Sequence, residues 1–67
     1  MNSVRLNTNK VNYLIAKLLL SNGELCERAQ LSTSTFRKAM NRGLISPKVL
    51  GKLAKALEVE PEEIVLL

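Results

Sequence analysis

One stretch of this sequence, residues 21–43, constrains the fold more than any other. It reads SNGELCERAQLSTSTFRKAMNRG and contains two short segments in which apolar residues recur at helical spacing. A serine that can cap a helix precedes each segment. Glu24 follows Ser21 at the spacing of a capping box, and Ser32 precedes the second segment. The stretch therefore predicts a helix over about 22–30, a tight turn, and a second helix that runs from the Ser32 cap to about Met40 or Asn41.

The second of these helices has two chemically different faces. At 100° per residue, Phe36, Ala39 and Met40 share one side, which predicts that this side is buried. The opposite side carries two cations, a hydroxyl and an amide, contributed by Ser34, Arg37, Lys38 and Asn41. A solvated helix usually mixes both signs of charge, and this face has no carboxylate. The pattern therefore favours contact with an anion, since these groups suit phosphates and base edges.

The segment before this stretch predicts a packing helix and an arm. Asn7, Thr8 and Asn9 offer caps for a helix over about 9–20. Its apolar stripe consists of Val11, Leu14, Ile15 and Leu18, widened by Leu19 and Leu20. Residues 1–6 show no helical period and predict an arm or a short extended piece. A disordered terminus is the plainer interpretation, whereas an arm could carry Arg5 to a phosphate or a minor groove.

The segment after this stretch predicts two more helices. Gly43 suits the left-handed residue that ends a helix, and Leu44 and Ile45 are expected to pack toward the core. Ser46 and Pro47 begin a helix that runs to about residue 57, with a solvated lysine stripe opposite its apolar face. A fifth, short helix begins near residue 61 and is stable only if docked. It ends on four apolar residues, Ile64, Val65, Leu66 and Leu67, which we interpret as a dimer contact.

The distribution of charge favours a polyanionic partner. All ten basic residues lie between Arg5 and Lys55, where only Glu24 and Glu27 are acidic, so ten positive charges against two leave +8. The four remaining glutamates, from Glu58 onward, carry −4. A concentrated positive field on a small chain favours nucleic acid, and a solvated basic surface is the alternative.

The residue types that the chain lacks restrict its chemistry. It has no His, no Asp and a single cysteine, Cys26, so neither a catalytic triad nor a tetrahedral zinc site can be assembled from one chain. We therefore expect no enzymatic activity, no metal and no other cofactor. The single cysteine indicates a reducing compartment, and the sequence shows neither a secretory signal nor a membrane span. These features predict a soluble, cytoplasmic protein.

The order of these signals resembles a known family. Glu24-Leu25, the small Cys26, Leu31-Ser32, Ser34-Thr35-Phe36, Asn41, Gly43, Pro47 and LGKLAKALEVEPEEI follow one another as in the Cro/repressor (Xre-type) helix-turn-helix proteins. The resemblance covers about Val11 to Leu66. It implies an all-α fold, a compact five-helix lambda-repressor-like domain over residues 1–67, with the helix-turn-helix at 21–43. It also implies that the third helix enters the major groove of double-stranded DNA, usually as part of a homodimer.

The resemblance further implies which side chains touch DNA. Carried over by position, the base contacts are Thr33, Ser34 and Lys38. The phosphate contacts are Asn22, Ser32, Arg37, Asn41 and Arg42. Lys38 fits a contact to guanine O6 and N7. Thr33 lies at the edge of the polar face, so its assignment rests on the family pattern alone.

Three positions depart from the family's pattern. Gln30 stands where glycine is usual, at a turn position that tends toward positive φ, which costs on the order of 1 kcal/mol. Ile15 and Met40 stand where many members pair an arginine with a glutamate, which predicts an apolar contact in place of the ion pair. Glu60 precedes the fifth helix, where the family prefers Ser or Thr as the cap.

These observations support two hypotheses of different classes. The first is a sequence-specific double-stranded DNA-binding transcriptional regulator of the repressor/Cro type, which reads an operator with the helix at about 32–41. The alternative is a protein-interaction module, such as an antirepressor or assembly partner, that has the same fold without DNA reading. The outer face of the third helix discriminates between them, because an interaction role would favour apolar groups there.

Overall fold

Four α-helices and a three-stranded sheet make up residues 2–66, the part of the chain that this computed structural model describes. In chain order the elements are β1 (Val4–Leu6), α1 (Thr8–Lys17), α2 (Asn22–Ala29), α3 (Thr33–Arg42), β2 (Leu44–Ile45), α4 (Pro47–Ala56), a 3₁₀ turn (Pro61–Glu63) and β3 (Val65–Leu66). No helix within residues 2–66 has the length and apolar character needed to cross a membrane.

Each α-helix begins where the sequence predicts. The caps are Asn7, Ser21, Ser32 and Ser46. In each case the side-chain oxygen accepts the backbone N–H three residues further on, at 3.1 to 3.4 Å. These bonds satisfy donors that have no partner inside the helix, which is why the helix starts are encoded locally.

A left-handed residue follows the end of each α-helix within two positions, and three of these four residues are not glycine. These residues are Leu19 (φ 56°), Gln30 (φ 57°), Gly43 (φ 68°) and Glu58 (φ 61°). After each non-glycine residue, the next N–H donates to a carbonyl five residues back, which is the Schellman arrangement. The positive φ predicted for Gln30 is confirmed. The prediction that α1 continues to Leu20 is wrong, and Leu19 does not widen its apolar stripe because 88% of that residue is exposed.

The N-terminal segment is the middle strand of the sheet. β1 pairs antiparallel with β2 and with β3, and Arg5 lies opposite both Leu44 and Leu66. Leu6 is 2% exposed, so its side chain belongs to the core. The disordered terminus that the sequence favoured is therefore wrong for Val4–Leu6. Met1, the first residue of the predicted arm, lies outside the described residues.

The predicted fifth helix is also wrong. After the turn at Pro61–Glu63 the chain becomes extended, and the Asn7 N–H donates to the Ile64 carbonyl at 2.8 Å before β3 pairs with β1. Without β3, one edge of β1 would have backbone N–H and C=O groups with no partner in the sheet. β3 forms hydrogen bonds with these groups. The all-α, five-helix description is therefore corrected to four α-helices and a small sheet.

The core lies between the helices and the inner side of the sheet. Its most completely buried side chains are Val11, Leu25, Leu53, Leu57 and Ile64. Full burial removes Ile64 from the predicted dimer contact, and Leu67 of that contact lies outside the described residues. Ile45 packs inward as predicted, but Leu44 is 44% exposed. Ile15 and Met40 are both partly buried against this core, so their direct contact stays a prediction.

Candidate nucleic-acid interface

α3 is held by its apolar side and presents its polar side to solvent. Phe36 and Ala39 are 5% and 6% exposed, whereas the polar positions of the helix are all exposed. Ser32 caps its first turn and Gly43 ends it. The amphipathic pattern predicted from the sequence is therefore confirmed, and it fixes which side chains can reach a ligand.

One flank of α3 borders a groove that also involves α1 and α2. We call it the α1–α3 groove, and its volume is about 390 Å³. Its polar wall consists of Asn12, Asn22, Thr33, Arg37 and Asn41. Cys26, Phe36 and Met40 form an apolar floor. Hydrogen-bond donors thus surround a small apolar surface.

The other flank of α3 borders a second groove, formed with β2 and the start of α4. We call it the β2–α3 groove, and its volume is about 250 Å³. Its polar side chains are Ser3, Thr35, Lys38, Arg42 and Ser46. Ser3 immediately precedes β1, and β1 pairs with β2. This pairing brings the N-terminal segment to the flank of α3.

The structure divides the predicted site residues between these two flanks. Asn22, Thr33, Arg37 and Asn41 share the α1–α3 groove, and Lys38 and Arg42 line the β2–α3 groove. Ser34 lies between the flanks on the exposed crest, as its helical spacing requires. Thr33 and Lys38, both predicted to contact bases, therefore stand on opposite flanks of one crest.

Ser32, a predicted phosphate contact, already has a structural role. Its Oγ accepts the Thr35 backbone N–H at 3.1 Å and donates to Thr35 Oγ1 at 2.8 Å. Its hydroxyl hydrogen would have to leave Thr35 to reach a phosphate oxygen. The contribution of Ser32 is therefore first to hold the start of α3.

The cations of α3 have no acidic partner within residues 2–66. Within the described residues, the ion pair joins Arg28 at the end of α2 to Glu58 after α4, at 3.8 Å, and involves no residue of α3. Those two residues border a third groove of about 470 Å³, near the ends of α2 and α4, which includes no residue of α3. That groove mixes both signs of charge. The α3 surface, with unpaired cations and no carboxylate, is the better match for a polyanion.

Two side chains near the interface have shifted pKa values. Hydrogen bonds within the α2 cap, chiefly the one from the Ser21 backbone, lower the pKa of Glu24 below its ordinary value. Burial raises the pKa of the Cys26 thiol, which favours its protonated, unreactive form. Residues 2–66 bring together no three His, Cys, Asp or Glu side chains able to hold a metal ion.

Sequence reasoning missed several residues of these grooves. Asn12 faces the α1–α3 groove, and Ser3, Thr35 and Ser46 face the other. Asn12 looks like an ordinary solvated position when α1 is considered alone. Its placement depends on how α1 packs beside α2 and α3, and the pattern of α1 contains no signal for that.

α2 and α3, joined by a three-residue turn and buried against two flanking helices, define a helix-turn-helix DNA-binding domain. Residues 10–66 match the family model of the Cro/C1-type HTH DNA-binding domain, so the chain belongs to that family. The resemblance seen in the sequence is thereby confirmed. No curated protein and no solved structure matches the chain significantly. The family is one of DNA-binding rather than enzymatic domains.

Proposed function

We propose that this chain is a sequence-specific regulator of transcription, of the repressor/Cro type, that reads an operator in double-stranded DNA with α3. The observation that carries the proposal is the exposed face of α3, which offers cations, hydroxyls and one amide without a carboxylate. An interaction module would favour apolar groups on that face. Its polar composition instead suits base edges and phosphates.

The two flanks and the crest of α3 suggest a division of roles. A helix seated in the major groove turns its crest toward base edges and its flanks toward the two backbones. We assign base contacts to Ser34 on the crest and, from the family pattern rather than from this division, to Thr33 and Lys38 on the two flanks. We assign phosphate contacts to Asn22, Arg37, Asn41 and Arg42, with Ser32 contributing mainly as a cap. Bound in this way, the protein would occlude the operator from polymerase.

We further propose that the regulator acts as a homodimer through the edge of the sheet at β3. Leu66 is 44% exposed, and β3 is an edge strand whose outer backbone groups are free to pair with a second copy. Val65 and Leu66 remain from the dimer contact proposed on sequence grounds, whereas Ile64, just before β3, is buried in the core. A two-fold dimer would match a palindromic site.

Selection of binding sites from random duplex DNA tests the proposal directly. We expect enrichment of one consensus with two-fold symmetry. Affinity for that site, measured by fluorescence anisotropy over a range of salt, should fall with a log–log slope of about −0.9 for each neutralised phosphate. Equal affinity for all duplex sequences would overturn the proposal, and binding of a protein partner that persists without the α3 cations would favour the interaction module.

A further inference from the structure

We propose that Asn12 of α1 is a further DNA contact, which holds a backbone phosphate in the α1–α3 groove together with Arg37 and Asn41. The inference rests on the proposed function and extends the DNA surface from the helix-turn-helix to the first helix. It assigns a role to a residue outside residues 21–43, the segment that contains the helix-turn-helix.

The position of Asn12 is the first argument. The wall of this groove has five polar side chains, and the sequence predicts four of them, those of Asn22, Thr33, Arg37 and Asn41, to contact DNA. Asn12 comes from a different helix and completes the same wall. It is exposed, and within residues 2–66 no hydrogen bond engages its side chain.

The chemistry of the groove is the second argument. Three amide groups, a hydroxyl and a guanidinium face it, and its lining includes no carboxylate among the described residues. Such donors suit phosphate oxygens, and a guanidinium can donate to two of them at once. The floor of Cys26, Phe36 and Met40 is apolar, which suits the carbon face of a sugar. A sugar–phosphate unit therefore matches both the wall and the floor.

The continuity of the groove with α3 favours the DNA backbone over a free anion. Thr33, Arg37 and Asn41 belong both to the groove wall and to the exposed side of the reading helix. A duplex that receives α3 in its major groove must carry one strand past this flank. A free phosphate shares the same chemistry, so the experiment has to separate the two sources.

The test compares Asn12→Ala with Asn9→Ala, which removes the same amide from an exposed position of the same helix outside the groove. Affinity is measured by anisotropy for the selected operator and for an unrelated duplex at one salt concentration. We expect Asn12→Ala to weaken both by about three- to tenfold, the loss of one hydrogen bond of ordinary net strength, and Asn9→Ala to weaken neither. The equal loss follows because a phosphate contact carries no sequence information.

A double variant, Asn12→Ala with Arg37→Ala, tests whether the two side chains hold the same phosphate. We expect its loss to be smaller than the product of the two single losses, because either change alone already weakens the shared contact. Circular dichroism of all variants checks that the fold is retained, which we expect since the substituted side chains are exposed.

Three results would overturn the inference. Asn12→Ala could behave like Asn9→Ala, or it could change base preference rather than weaken all duplexes equally. Inorganic phosphate could also bind the wild type through Asn12 equally well with and without saturating operator duplex, which would assign the groove to a free anion that DNA does not replace. If the wild type binds no duplex at all, the proposed function itself fails, and that outcome is distinct from these three.

Discussion

Ser21 and Glu24 exchange two hydrogen bonds at the start of α2. The Glu24 N–H donates to Ser21 Oγ at 3.1 Å, and the Ser21 N–H donates to the Glu24 carboxylate Oε1 at 2.9 Å. The bond from the Ser21 backbone is the main reason that the pKa of Glu24 lies below its ordinary value of 4.5. The folded state therefore favours the charged carboxylate.

This relationship predicts a pH-dependent contribution to stability. Because the pKa of Glu24 is lower in the folded than in the unfolded state, its contribution is present above the unfolded pKa. It is lost as the pH falls through the folded pKa. Glu24→Gln keeps an acceptor but cannot titrate. The wild type should therefore be more stable than this variant at about pH 7, and it should lose that advantage as the pH falls below 4.5 and through the lowered folded-state pKa. Urea denaturation measures this, with Glu27→Gln as control, and a pH-independent difference would contradict it.

Helix ends without glycine predict stabilising substitutions. Leu19 and Gln30 hold positive φ, and the exposed Leu19 side chain contributes no burial. Replacing either residue with glycine should raise the free energy of unfolding by up to about 1 kcal/mol, since the relief of strain outweighs the added freedom of the unfolded chain.

Gly43→Ala provides the opposite control for these substitutions. A Cβ at Gly43 would meet no atom within 4 Å, so any loss must come from its φ of 68°. We expect destabilisation of about 1 kcal/mol. Thermal and urea denaturation measure all three variants, and a loss of stability in both Leu19→Gly and Gln30→Gly would refute the argument from strain.

The N-terminal strand should be part of the cooperative fold. Leu6→Ala removes a side chain that is 2% exposed, and we expect it to cost about 2–5 kcal/mol, which is much of the stability of so small a chain. Arg5→Ala, at the neighbouring exposed position, should change stability by less than about 0.5 kcal/mol. Circular dichroism during urea denaturation measures both, and equal effects would mean that β1 does not contribute to the core.

Lys38 and Arg37 should affect DNA binding in different ways. Lys38→Ala should relax the preference for one base pair of the selected site, because we assign that side chain to a base edge. Arg37→Ala should weaken all duplexes alike and reduce the salt slope by about 1. Lys48→Ala, an exposed cation at the start of α4, is the control. An unchanged base preference after Lys38→Ala would contradict the assignment.

The two edges of the sheet offer a matched test of the dimer. Leu66 and Leu44 lie opposite Arg5 on the two sides of β1, and each is 44% exposed. Leu66→Asp should yield monomers at concentrations where wild type is a dimer, because a charge at the pairing edge opposes association. Leu44→Asp should leave the dimer intact. Sedimentation equilibrium distinguishes the two, and dissociation by Leu44→Asp alone would move the interface to β2.

Local chemistry explains which parts of this structure could be predicted. Ser21, Ser32 and Ser46 each cap a helix through a bond to a residue three positions away, so a short stretch of sequence contains both partners. The apolar spacing of Phe36 and Ala39 likewise determines the buried side of α3, and with it the exposed face to which the proposed DNA contacts belong.

The helix ends were less accessible to such reasoning. At position 43 the glycine itself predicts a left-handed conformation, and at Gln30 the family resemblance predicts it. Leu19 and Glu58 adopt the same conformation without any residue that favours it. Tertiary packing on either side of those residues imposes it.

The sequence by itself therefore determined the helix-turn-helix, the burial of one side of α3 and the concentration of positive charge. Only the tertiary structure decided that Val4–Leu6 and Val65–Leu66 form strands and that Asn12 lies beside the proposed DNA contacts. Each strand of the sheet is two or three residues long and gains its hydrogen bonds from partners remote in sequence, so no local pattern specifies it. Asn12 lines the same groove as Arg37 and Asn41 for the same reason, since only the packing of α1 against its neighbours places them together.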